Sequence, residues 1–191
     1  TKTTVFWTDL ATEGAAGRLS QGQELTYHEL LFPLLLESSN DAATVLTRSL
    51  AQRDLLHAMQ SFTRDTGMVD STFFDASGLS DQNVSTVRDL GQLLMTMRST
   101  EAHVLDITSL RQYLTPQTGW RNNSPFINDV GYIGGKHGYT TAAGRTAAVI
   151  FEERFARGEM RDIGYVVLGS QDLLGDVRTL RELVRTRGLG K

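Results

Sequence analysis

The periodicity of the sequence changes near residue 111, and that change restricts the fold more than any other feature. Before it, apolar residues recur at three- and four-residue spacing, the signature of helices with one face on a core. After it, "RQYLT", "VGYIGG", "RTAAVIFEE" and "DIGYVVLGS" are short, β-branched or aromatic, and separated by polar or glycine-rich turns, so they read as antiparallel strands. A last helical stretch, "GDVRTLRELVRT", carries Val177, Leu180 and Val184 on one stripe and is expected to stop at Gly188. Helices, then strands, then a helix make an α+β arrangement, not an alternating parallel one.

Three earlier helices can be placed from local chemistry. Thr26 and Glu29 have capping-box spacing at the head of "LTYHELLFPLLLE", and Pro33 inside that run predicts a kink or break just beyond it. "RDLLHAMQSFTRDTG" puts Leu55, Leu56, Met59 and Phe62 on one face and ends at Gly67. "STVRDLGQLLMTMRS" does the same with Val87, Leu90, Leu94 and Met97, capped by Ser85 or Thr86. With 191 residues, we expect one domain over 1–191, helical over about 10–110 and stranded over about 111–191.

Charge and composition remove several function classes. The net charge is −3 with both signs interspersed, which leaves no basic stripe for a polyanion, so nucleic acid is not an expected partner. No apolar run reaches the roughly 18–20 residues that span a bilayer. Cysteine is absent, which excludes a thiol nucleophile and disulfides and leaves the compartment open. His28, His57, His103 and His137 lie on separate segments without ligand spacing, so no metal or other cofactor is expected. Trp7 and Trp120 sit in loop-like surroundings, with packing the default reading. Asn122-Asn123-Ser124 fits a glycosylation pattern that is common by chance and carries no weight.

Two stretches carry chemistry. In "LLLESSNDAATVL", Ser38, Ser39 and Asn40 fall where one apolar helix stops and another starts, and plain helix capping is the simplest account of them alone. In "GGKHGYTTAAG", Lys136 is set among Gly134, Gly135 and Gly138 within a strand. Strand glycines mark a bulge or a place where another backbone comes close.

In chain order, "ESSNDAA", "TGMVDSTFFDASGLS", "STVRDLGQLL" and "GGKHGYTTAAG" resemble the serine D-alanyl-D-alanine carboxypeptidases, the low-molecular-weight penicillin-binding proteins. The resemblance runs from about Leu10 to the C-terminus. It implies the β-lactamase/DD-peptidase (transpeptidase-like) fold, a helical cluster on an antiparallel sheet. That family has a Ser-x-x-Lys nucleophile motif, a Ser-x-Asn between helices and a Lys-Thr-Gly on the cleft strand. Here Ser38-Ser39-Asn40 resembles the second and Lys136-His137-Gly138 the third. The first is missing: the only lysines are Lys2, Lys136 and Lys191, and none follows a serine by three. The resemblance therefore implies the C-terminal portion of a longer protein or a cleaved piece, incomplete at the N-terminus, whose partner segment supplies the nucleophile.

By resemblance, Ser38 relays protons to the leaving group, Asn40 orients the substrate amide and Lys136 draws in the terminal carboxylate. His137, Gly138 and Tyr139 are the substrate-binding residues, with the Tyr139 N–H as an oxyanion donor and the strand glycines admitting a docked peptide. His137 replaces the usual threonine or serine, so substrate preference or pH response is expected to differ. The implied partners are a peptidoglycan stem peptide, β-lactams and a complementing N-terminal segment, on the exported, periplasmic or extracellular face of the cell wall. Two alternatives stand beside the carboxypeptidase: a binding module of the same fold that lost its serine, and a β-lactamase or β-lactam sensor, for which Glu101 is a loose deacylation candidate.

Overall fold

A computed structural model describes residues 1–10, 14, 16–155 and 158–187. The expected stop at Gly188 lies outside the described residues. The chain forms two compact units, one of Thr1–Ser85 with Leu110–Asn123, the other of Thr86–Ser109 with Ser124–Lys191.

The first unit is helical with two short antiparallel ribbons. β1 (Lys2–Thr4) pairs with β2 (Glu24–Thr26), and β3 (Gln112–Leu114) pairs with β4 (Gly119–Arg121). Neither ribbon was expected in this form: β1 and β2 are three residues each, too short for an alternation to show, and "RQYLT" pairs with β4 instead of joining the later strands. Trp120, placed in a loop by its neighbours in sequence, lies in β4, is fully buried and donates its indole N–H to the Gly17 carbonyl at 2.6 Å.

α1 (Tyr27–Leu36) begins with the expected capping box: the Glu29 N–H donates to Thr26 Oγ1 at 3.1 Å and the Thr26 N–H to Glu29 Oε2 at 2.7 Å. The helix passes through Pro33 and ends one turn later, where the Pro33 carbonyl accepts from both the Glu37 and Ser39 N–H groups. α2 (Asn40–Ser49) follows with Ser39 as its N-cap, and α3 (Gln52–Asp65) leads to Gly67 at φ +74°. Leu55, Leu56, Met59 and Phe62 on α3 are partly buried.

The second unit is a three-stranded antiparallel meander with helices on both faces. The order is β5 (Tyr132–Thr140), β6 (Gly144–Arg154), β7 (Met160–Ser170). One face carries Ile133, Ala148, Ile150 and Val166 against Leu94 and Met97 of α4 (Val87–Ser99) and Leu105 of α5 (Ala102–Ser109). The other carries Ala147, Val149, Phe151 and Tyr165 against Leu173 and Val177 of α6 (Leu173–Arg187) and against Phe126. Side chains alternate between the faces with the two-residue strand period.

Thr86 supplies the α4 cap, accepting from the Asp89 N–H at 3.1 Å. The α4 stripe is rotated from its expected position: Asp89 is buried and Val87 exposed. On α6, Val177 is buried, whereas Leu180 is exposed and Arg181 takes the inward place. Arg181 does so because buried Glu153 on β6 accepts its Nε–H, its Nη2 donates to the Val130 carbonyl at 2.7 Å, and its guanidinium lies 3.6 Å from the Phe151 ring centre. Arginine buried with such partners is stable where an unpaired charge is not. α5 was not anticipated; at eight residues, "AHVLDITS" is too short for its period to stand out.

Candidate active site

The predicted site residues fall into two groups, Ser38 and Asn40 in the first unit and Lys136, His137, Gly138 and Tyr139 in the second.

The turn between α1 and α2 is built to hold Ser38 in an unfavourable conformation. Ser38 has φ +59°, a region that L-residues other than glycine seldom adopt and that costs of order 1–3 kcal/mol. It is exposed, and its hydroxyl makes no hydrogen bond among the described residues. Its neighbours fix the turn. Buried Ser39 donates its hydroxyl to the Ala16 carbonyl at 2.6 Å and accepts from the Ala42 N–H at 3.1 Å. Glu37 accepts from the Gly17 and Arg121 N–H groups at 3.1 and 2.9 Å and pairs with Arg18. Asn123 donates from its backbone N–H to Leu36 O at 2.8 Å and from its amide to Glu37 O at 2.9 Å, satisfying carbonyls that the end of α1 leaves open. Gly17, at φ +95°, passes so close that a Cβ there would lie 2.6 Å from the Ser39 Cβ. Asn40 is the first residue of α2, next to a buried Asp41 whose Oδ1 has no partner among the described residues. Ser39 is thus the capping residue, and Ser38 is left over from the capping account.

Sequence reasoning missed Glu37, Gly17 and Asn123 because their contacts span 19 to 87 residues. The only trace of Asn123 was the glycosylation-like tripeptide set aside above.

On β5, three contacts show which backbone groups turn away from β6. The Gly135 N–H donates to Thr108 Oγ1 at 3.0 Å, the Gly135 carbonyl accepts from the Tyr132 hydroxyl at 3.5 Å, and the His137 carbonyl accepts from Lys136 Nζ at 2.7 Å. The Gly138 carbonyl instead meets Thr146 Oγ1 on β6 at 3.4 Å. N–H and C=O groups of alternate residues share an edge, so those of Gly135, His137 and Tyr139 point to the side of β5 that no described strand occupies.

The register sets the side chains. Lys136 lies opposite Ala148 and so on the α4/α5 face; His137 and Tyr139 lie opposite Ala147 and Arg145 and so on the α6 face. Burial lowers the Lys136 pKa to about 8. Burial, and then the Lys136 charge, lowers that of His137 to about 4, so the imidazole is neutral at pH 7 and offers one N–H donor. No carboxylate pairs with either side chain among the described residues.

The glycines need correction. A Cβ on Gly134 would lie 2.6 Å from Thr108 Oγ1, and one on Gly135 2.6 Å from Val149 Cα. They are demanded by the close approach of α5 and β6, not by a docked peptide. Gly138, whose nearest would-be neighbour is Thr146 Oγ1 at 3.5 Å, is the one with room. Glu101 precedes α5 and sits 3.5 Å from His103 Nδ1.

Among the described residues, a desolvated ammonium with no carboxylate partner and an open strand edge have the chemistry to receive an extended peptide with an anionic end. A strained, exposed hydroxyl on a rigid turn is suited to passing a proton.

The family model for D-alanyl-D-alanine carboxypeptidase matches residues 4–171. The chain belongs to that family. It is 32% identical over 83 residues to a D-alanyl-D-alanine endopeptidase of Haemophilus influenzae, covering 42% of this chain and 28% of that one. Among solved structures, penicillin-binding protein D2 of Listeria monocytogenes with bound cefotaxime superposes with TM-score 0.80 at 27% identity, covering 96% of this chain and 76% of that one. A D-alanyl-D-alanine carboxypeptidase of Mycobacterium tuberculosis does so with TM-score 0.73 at 26% identity, covering 87% and 66%. These neighbours bear out the α+β, DD-peptidase-like fold. The chain spans less than half the length of the curated relatives it matches.

Proposed function

We propose that this chain is the body of a peptidoglycan D-alanyl-D-alanine carboxypeptidase whose serine nucleophile lies on a segment outside these 191 residues. The observation that carries the reading is Lys136, desolvated, without a carboxylate partner among the described residues, and next to the open edge of β5. A stem peptide adds to that edge as a strand. Lys136 takes its terminal carboxylate, the neutral His137 ring and the Gly138 backbone border the same stretch, and the Tyr139 N–H donates to the oxyanion. The nucleophile's hydroxyl gives up its proton as its oxygen adds to the penultimate D-alanine carbonyl; that proton reaches the departing amine by way of Ser38 as the C–N bond breaks, Asn40 holds the substrate amide, and water then hydrolyses the acyl ester. A β-lactam enters by the same route and stops at the acyl stage. This chemistry belongs on the exported face of the cell wall, where the substrate is.

Within the chain no serine precedes a lysine by three, which favours a second reading, a module that binds peptide ends without turnover. Intact mass after incubation with a labelled penicillin separates the two, using the full gene product and the 191-residue chain. One covalent acyl group on the full product and none on the chain supports the enzyme. No label on either overturns it in favour of the module. In the labelled product, Lys136→Met should slow acylation at least about tenfold, the loss of a charge-assisted contact worth about 1.5–3 kcal/mol.

A further inference from the structure

The outer edge of β5 carries no described strand, yet it is not open along its whole length. Gly134 and Gly135 are buried, Lys136, His137 and Gly138 are half-buried, and Tyr139 is exposed. Side chains make the cover at Gly135. Thr108 Oγ1 accepts the Gly135 N–H at 3.0 Å and donates to the Leu105 carbonyl at 3.2 Å. The Tyr132 hydroxyl donates to the Gly135 carbonyl at 3.5 Å and accepts from Ser124 Oγ at 3.4 Å. Both backbone groups that Gly135 turns outward therefore have partners already.

Those partners come from opposite faces of the sheet, and each is held in place. Thr108, near the end of α5, is 2% exposed, and a Cβ on Gly134 would lie 2.6 Å from its hydroxyl. Tyr132 belongs to the α6 face, with its ring 5.5 Å from that of Phe151. A strand paired to β5 would run roughly 4.8 Å away and set its own N–H and C=O where these two hydroxyls lie. The His137 carbonyl differs, because its partner, Lys136 Nζ, sits on a flexible stem and a carbonyl oxygen has a second lone pair.

The register of a docked peptide follows from the roles given above. With its terminal carboxylate towards Lys136 it runs antiparallel to β5, and the residue whose carbonyl accepts the Tyr139 N–H lies opposite Tyr139. Its next residues lie opposite Gly138, His137 and Lys136 in turn, and a further one would meet Gly135.

We propose that Thr108 and Tyr132 are specificity-determining residues that close the docking edge at Gly135, so that a peptide fits only if its chain beyond the scissile bond ends by the position opposite Lys136. The inference rests on the functional reading above, that β5 is the docking edge, and names what that edge excludes: the interior of a long chain. The site is one for chain ends.

The test follows cleavage of the D-Ala–D-Ala bond by the full gene product, read as kcat/KM, in acetyl-Gly-D-Ala-D-Ala and in the same peptide extended at its C-terminus by one, two or four glycines. The first glycine moves the carboxylate away from its place by Lys136 and should lower the rate once. The chain with two glycines ends opposite Lys136, and the chain with four runs past Gly135, so a second fall of at least about tenfold is expected between them. The double variant Thr108→Ala/Tyr132→Phe frees both Gly135 groups and should shrink that second fall to a few-fold, whereas Thr108→Ser keeps the hydroxyl and should keep the fall. A purely structural role would change the rates of both extended peptides together and leave their ratio where it was. Equal rates with two and four glycines, or a second fall that survives whole in the double variant, overturns the proposal and leaves the docking edge standing. Failure of the full product to cleave the unextended peptide overturns the carboxypeptidase reading and the proposal with it.

Discussion

Removing the Glu153 carboxylate should cost this chain about 4 kcal/mol. Glu153 is fully buried on β6 and accepts from Arg181 Nε, from Arg185 Nε and from the Tyr165 hydroxyl at 3.2 Å. The partners are not equal. The Arg181 side chain is 6% exposed and that of Arg185 is 44% exposed. The Arg185 pair, largely hydrated, is worth about 0.2–1 kcal/mol. Arg181 is different, because truncating Glu153 leaves a guanidinium buried against Phe151 with only the Val130 carbonyl and a distant Asp129 contact at 3.9 Å, and breaking one partner of a buried pair costs about 3–5 kcal/mol. For a chain of this size each kcal/mol moves Tm by about 2–4 °C, so Glu153→Ala should lower Tm by roughly 8–16 °C. Thermal and urea unfolding of Glu153→Ala, Arg181→Met and the pair Glu153→Met/Arg181→Met form the assay. The pair should recover most of the loss, since it removes both buried charges together. A single-mutant cost under about 1 kcal/mol, or a pair no more stable than Glu153→Ala, would refute the reasoning.

Gly17→Ala should cost about 2–3 kcal/mol, because the new Cβ meets Ser39 at a backbone φ of +95°, and nuclear magnetic resonance should show the largest shifts at Ser38–Asn40. The His137 pKa is lowered from 6.5 to about 4, so below pH 6.5 the unfolded chain holds a proton that the folded chain refuses. Stability should fall as pH drops from about 6.5 to 4, by on the order of 1–3 kcal/mol from this group, and the change in urea midpoint across that window should be smaller by that amount in His137→Thr than in the wild type. Burial, with the nearby Asp9 charge, raises the Asp41 pKa, so its contribution is favourable below the unfolded value and lost as pH rises through the folded one. Asp41→Asn should therefore unfold at higher urea than the wild type at pH 7 and show no such gain at pH 3.

The parts of this protein legible in sequence are those whose cause is local. The Thr26–Glu29 box, the Thr86 cap and the turn at Gly67 depend on hydrogen bonds within a few residues, and each is where those residues put it. The short, branched strands of the last 60 residues were likewise readable, since alternation and turn chemistry are properties of adjacent positions. The two motif groups were found as strings. What the strings did not contain is the difference between Ser38 and Ser39: one caps α2 and is buried, the other is strained and exposed, and only the turn geometry separates them.

Elsewhere tertiary contacts overrode the local signal. Gly134 and Gly135 looked like room for a ligand, and α5 and β6 occupy that room. The α6 stripe placed Leu180 inward until Glu153, more than 25 residues earlier, gave Arg181 a buried partner.

The sequence by itself determined the longer helices and the β5–β7 strands, their order and the chemical types available to a site, because capping, periodicity and turn formation act over one or two turns of chain; the three-residue ribbons and the eight-residue α5 are too short to carry such a signal. Tertiary structure alone decided which charges were stripped of water, which strand edge stayed open and which serine was strained. Desolvation and close approach are set by residues distant in sequence that folding brings within a few ångströms, and no local pattern encodes them.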